Sequence, residues 1–186
     1  CFNPLAVLAL LQRQEVRRVP AVIITHLHAD HYAGLVTFLK GCQPRGIEWD
    51  ALYFHWVTQI QKRRQLLDDD DKHSQAEESD PTLRQKKTTS LFQTFASWTS
   101  EPANKKRQKP PELLDEISVK GIKVERLHPI WADIGQLIES GKLNNISVVL
   151  RISGGKNNVL LTGDLEPSGW DVLTENFSDL SSNVLK

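Results

Sequence analysis

Thr25-His26-Leu27-His28-Ala29-Asp30-His31-Tyr32-Ala33-Gly34 carries three imidazoles and a carboxylate within a few residues. The whole chain of 186 residues holds only 6 histidines, so a chance His-x-His-x-Asp-His is a rare event. Imidazole nitrogens and a carboxylate oxygen are borderline donors suited to zinc, manganese or iron. His26 and His28, two apart, can point the same way from an extended turn, and Asp30 and His31 sit further on, where they can serve a second ion. Just upstream, Pro20-Ala21-Val22-Ile23-Ile24-Thr25 is a short, β-branched, almost wholly apolar run, which predicts a strand buried on both faces. From Asp30 the pattern turns helical, with Leu35, Phe38 and Leu39 on one side and Gly41 placed to end the helix after Lys40. The histidines therefore stand at a strand-to-helix turn, where ligands converge in layered α/β folds.

Working outward, residues 5–16 predict a helix opened by Pro4 and closed near Arg17 and Arg18. Residues 51–55 read as a second strand and 56–67 as a helix through Trp56, Ile60 and Leu67. Residues 68–111 differ in kind: acidic and basic runs surround one apolar island at 91–98, which predicts a charged, flexible insertion with a short helix in it. Strand-like patterning returns at 120–127, followed by a helix at 130–139 that stops near Gly141. Two strands at 146–152 and 158–162 flank a Gly154-Gly155 turn, a helix follows at 168–177, and 183–186 reads as a strand cut short. The length suits one domain with a real core, here 1–186.

The second informative string is Val159-Leu160-Leu161-Thr162-Gly163-Asp164, an apolar strand ending in Gly-Asp. Alone, such an ending is usually just a turn. Far downstream of the histidines and at another strand end, it becomes a candidate for the same site.

Together the two strings resemble the signature of the metallo-β-lactamase superfamily. The resemblance implies an α/β fold, an αββα sandwich of two mixed sheets with helices outside. It also implies that His26 and His28 hold a first metal, that Asp30 and His31 hold a second, and that Asp164 bridges them, with Asp30 and Asp164 as catalytic residues. The finer resemblance is to the hydrolase domain of ComEC-type competence proteins and their stand-alone relatives. It is carried by Leu127-His128-Pro129, Asn144-Asn145-Ile146-Ser147-Val148-Val149-Leu150-Arg151, the strand ending at Asp164, and Asn183-Val184-Leu185-Lys186. In those relatives the domain opens on a strand bearing an aspartate, and the last strand runs into a histidine pair. Neither is present here, and the first residue is Cys1, so the expectation is a domain truncated at both ends. His128 is the candidate for the family's middle histidine, although a His-Pro at a strand end also reads as a structural turn. Asn144 is the other occupant for that slot. His55 reads as packed or exposed without function, and His73 as solvated.

The expected reaction is hydrolysis by a metal-activated hydroxide, with one or two Zn2+ ions, or Mn2+, as cofactor. The resemblance favours phosphodiester bonds, with nucleic acid as the substrate polymer. A small phosphodiester, ester, lactone or thioester is the close rival, and a non-catalytic binding or regulatory module of the same fold is the rival of another class. Lys and Arg number 23, as do Asp and Glu, so net charge gives no overall pull toward nucleic acid or anionic membrane. The local cluster Lys105-Lys106-Arg107 with Lys109 could contact phosphates, but a charge run beside prolines is usually a solvated loop. The five tryptophans are scattered and read first as packing. Two cysteines are too few for a disulfide scaffold, and no apolar run reaches the ~18 residues of a membrane span, so no membrane contact is expected. A free enzyme would work in the cytoplasm, a domain of a channel-forming polypeptide outside it.

Overall fold

In the computed structural model, the described residues are 3–54, 81–119, 121–129 and 143–185. The helices expected at 56–67 and 130–139, and His55, His73, Trp56, Trp131 and the acidic start of the expected insertion, lie outside them. The chain divides into two compact units, Cys1–Lys109 and Pro110–Lys186.

The first unit opens with helix α1 (Pro4–Arg13), whose Asn3 side chain accepts from the Ala6 N–H and whose proline sits in the first turn. Strand β1 (Arg18–Ile23) follows, then the one-turn helix α2 (Ala29–Tyr32), helix α3 (Leu35–Cys42) and strand β2 (Glu48–Tyr53). Helices α4 (Pro81–Ser100) and α5 (Pro102–Lys105) lead to the short strand β3 (Gln108–Lys109). The sheet order is β1-β2-β3, parallel throughout, with Arg18 opposite Glu48 and Ile23 opposite Tyr53.

Three details depart from the sequence expectation. The helix expected from Asp30 to Lys40 is broken in two at Gly34, whose φ of 85° lies in the left-handed region. Gly41 lies inside α3 rather than ending it: a Cβ there would meet Leu8 Cδ1 at 2.5 Å, so the glycine lets α1 approach closely. The chain turns away only at Gly46, in a left-handed conformation after Gln43–Arg45. The apolar island at 91–98 is also part of a much longer helix. Phe95 and Trp98 are buried on it, with Phe95 packed against Tyr32 and Phe54 at centroid distances of 5.3 and 5.5 Å.

The second unit holds strands β4 (Ser118–Val119), β5 (Ile122–His128), β6 (Val149–Gly154), β7 (Asn157–Leu161) and β8 (Val184–Leu185), with helix α6 (Pro167–Asn176) between the last two. Sheet order follows chain order, and β8 runs parallel to β7 whereas the other pairs are antiparallel. Its core joins Leu127, Val149, Leu160, Leu165 and Leu173, with Trp170 and Phe177 against it. No helix among the described residues is long and apolar enough to cross a membrane.

One ion pair joins β5 to β6 across the ladder. Arg151 donates from Nε and Nη2 to Glu125 Oε2 at 3.1 and 3.0 Å, directly opposite it on β5. Burial alone would raise the Glu125 carboxyl, but the bonds from Arg151 and Lys123 outweigh it, so its pKa lies below the ordinary carboxylate value. A depressed carboxylate contributes stability above the unfolded pKa and loses it as pH falls through the folded value. Glu125→Gln is expected to cost about 1 kcal/mol in urea unfolding at neutral pH, with the difference from the wild type shrinking as the buffer is taken below pH ~4.

Candidate metal centre

The centre starts from the end of the parallel strand β1, which is exposed or half-buried along its length rather than buried on both faces as its apolar run predicts; burial begins only at Ile24. Ile24 extends the β1 ladder by donating to Tyr53 O at 2.9 Å, and the chain then bends at Thr25 and His26. His28 stays extended (φ −88°, ψ 150°) as the residue before α2, while Asp30 and His31 lie within that turn. His31 N–H donates to His28 O at 3.0 Å, closing the turn over the histidines. Gly34 permits the reversal into α3, which any side chain would strain.

This backbone brings three imidazoles together. His26 and His28 are 1% and 3% exposed, with ring centroids 4.6 Å apart, and His31 lies 4.1 Å from His26. His26 Nε2 and His28 Nδ1 are 2.9 Å apart. Adjacent ligand atoms around a tetrahedral zinc stand about 3.3 Å apart, given bonds of ~2.0–2.1 Å, so the pair falls within a few tenths of an ångström of that spacing. His26 and His31 also offer ring nitrogens within 4.8 Å of one another. Asp30 is at the rim, its side chain 59% exposed and its Oδ2 3.5 Å from His31 Nε2. Imidazoles held close in a buried site, with a carboxylate at the edge, form a donor set that fits a divalent metal.

Thr25 belongs to this centre as well, and its role was not legible beforehand. Its Oγ1 is 3.2 Å from His26 Nδ1 and 3.0 Å from His31 Nδ1. A hydroxyl in that position orients both rings through the nitrogen that faces it, as outer-shell partners of metal-bound histidines do. The only hint in the sequence was a hydroxyl residue abutting the first histidine.

In the second unit, Asp164 lies on the turn after β7, behind Gly163 at φ 56°. Its N–H donates to Ser147 Oγ at 3.3 Å. Asn145, fully buried, accepts at Oδ1 from Glu166 N–H and Gly169 N–H at 3.1 and 3.2 Å. Asn144, the alternative occupant of a ligand slot, donates instead to Glu166 Oε1 at 2.9 Å. His128 is also buried, and its Nε2 is 2.7 Å from Asn145 O. A carbonyl can only accept, so that nitrogen carries the proton and is no metal ligand in this arrangement. For His128 the structural-turn alternative therefore has a hydrogen bond behind it. Among the basic residues, Arg107 is engaged: it lies 4.5 Å from the Trp49 ring and donates to Trp49 O, while Lys105 and Lys106 are exposed.

The start of α6 leaves no room at Gly169. A Cβ there would lie 2.7 Å from Asn145 Oδ1 and 2.8 Å from Leu165 Cγ. Gly169→Ala is expected to destabilise by about 1–3 kcal/mol, read as a lower urea midpoint with an unchanged slope.

No curated protein and no solved structure matches the chain. The sequence model of the metallo-beta-lactamase superfamily matches residues 2–181. With its two sheets and flanking helices in an α+β fold, and its histidine motif at a strand end, the chain belongs to the metallo-β-lactamase superfamily, whose members are in general metal-dependent hydrolases.

Proposed function

We propose that the chain is a metal-dependent phosphodiesterase acting on nucleic acid, related within its superfamily to the hydrolase domain of ComEC-type competence proteins. The observation that carries the metal dependence is the convergence of the His26, His28 and His31 imidazoles at the end of β1. The phosphodiester preference is supported by the ComEC-like strings around His128, Asn144-Asn145 and Asp164. His26, His28, Asp30, His31 and Asp164 would be the donors for one or two divalent ions, with zinc as the leading ion and manganese as its rival.

A bound divalent pair supplies a Lewis acid and a nucleophilic water at neutral pH. The chain's own residues do the rest. Thr25 holds two rings in place, burial of His26 and His28 keeps bulk water from one side, and Asp164 orients the attacking water. Metal analysis of the purified chain, with assays on bis(p-nitrophenyl) phosphate and single-stranded DNA in zinc or manganese, tests this. About one to two metals per chain and salt-sensitive cleavage are expected; a metal-loaded chain that leaves both substrates intact sinks the phosphodiester reading.

One observation favours a second substrate class. A cavity of about 420 Å³ is walled by Val7, Leu11, Val19, Ile23, Leu35 and Phe38 and reaches Asp30 and His31. An aliphatic ester or thioester would bury its chain there. A p-nitrophenyl ester series whose turnover rises with acyl length, against no phosphodiester cleavage, would establish that reading instead.

A further inference from the structure

We propose that Asn145 and Ser147 are positioning residues for the metal centre, acting through the Gly163-Asp164 turn; the proposal rests on the reading of Asp164 as a ligand. Ser147 and Asn145 are both fully buried, an expensive place for polar side chains unless every bond is made. Asn145 uses its whole amide: Oδ1 accepts from the Glu166 and Gly169 N–H groups, and Nδ2 donates to Ser168 Oγ at 2.9 Å and Glu166 Oε2 at 3.3 Å. Asn144 anchors the other oxygen of the same carboxylate. Glu166 itself gives α6 no side-chain cap, so the cap is delivered by the distant Asn145.

The result is a turn pinned on both sides. Downstream of Asp164, Glu166 is tied to the 3-10 turn Leu143–Ile146 through the two asparagines. Directly behind it, Ser147 Oγ accepts the Asp164 N–H. The 3-10 turn is in turn held by His128, which donates to Asn145 O. A helix cap alone needs only a local serine or aspartate, whereas this network connects the cap to the backbone of one aspartate. An aspartate on an exposed turn would otherwise lose backbone freedom on binding a metal, so pinning it beforehand raises affinity.

The test measures zinc affinity by competition with a chromophoric chelator, and separately the thermal unfolding of the metal-free chain. Four chains are compared with the wild type: Ser147→Ala, Asn145→Ala, Asp164→Ala and the Ser147→Ala/Asp164→Ala double. At a temperature where the metal-free chains stay folded, Ser147→Ala should weaken zinc about 10-fold. In the Asp164→Ala background the same change should add nothing, because its route to the metal is gone. Early unfolding with wild-type zinc affinity in both Ser147→Ala and Asn145→Ala would make the network purely structural and overturn the proposal. A further loss in the double variant would overturn the route through Asp164. Wild-type affinity in Asp164→Ala would instead remove the ligand reading on which the proposal stands.

Discussion

The His28→Ala/Asp30→Ala double variant is expected to purify without stoichiometric metal and to lose at least about 10³-fold in hydrolytic rate. By the family resemblance the two residues belong to different metal sets, so the substitution removes a donor from each. His28 offers Nδ1 from a buried ring 2.9 Å from His26 Nε2, and Asp30 offers an exposed carboxylate beside His31. A metal contributes several kcal/mol of transition-state stabilisation, and each 1.36 kcal/mol is a decade in rate, which sets the expected loss. Removing a buried imidazole also leaves a cavity, so circular dichroism must show the variant folded. The single Asp30→Ala variant gives a separate measure: its side chain is mostly exposed, so its fold should be intact while metal stoichiometry falls. Wild-type metal content and rate in both variants would end the assignment of this string as the metal centre.

That the string was readable at all follows from its setting. A short apolar β-branched run reads as a strand, and ligands directly after it inherit that strand's carboxyl end; its burial was misread, because β1 is exposed or half-buried along its length. Likewise, β6, β7 and α6 were legible because their periodicities are local. The Gly34 break was not, since Leu35, Phe38 and Leu39 keep helical spacing on one side of it and α2 is separated from α3 by backbone angles alone, ψ 126° at Ala33 and φ 85° at Gly34. Gly41 was misread because its reason is Leu8, on a different helix. The length of α4 was hidden by the polar residues around Phe95 and Trp98, whose partners Phe54, Tyr32 and Trp49 are distant in sequence. The Asn145 hub was invisible for the same reason: its bonds run to Glu166, Ser168 and Gly169, more than twenty residues away. A buried asparagine announces itself only once its partners are in place.

Stripping metal from the wild-type chain is expected to lower its thermal midpoint by about 5–10 °C. A ligand that binds only the folded chain stabilises it by RT ln(1 + [L]/Kd), about 2.7 kcal/mol at 100 times Kd. For a chain of this size each kcal/mol moves the midpoint by roughly 2–4 °C. The unfolded chain competes poorly, because the fold is what holds the His26, His28 and His31 rings against one another. Scanning fluorimetry with chelator, then with zinc restored, reads the shift in both directions. The His28→Ala/Asp30→Ala variant should unfold at one temperature in all three conditions, which separates site binding from nonspecific effects of zinc or chelator. Equal wild-type midpoints with and without metal would mean that the folded chain holds no ion. The superfamily fold would then serve here as a binding or regulatory module, and the buried histidines as packing.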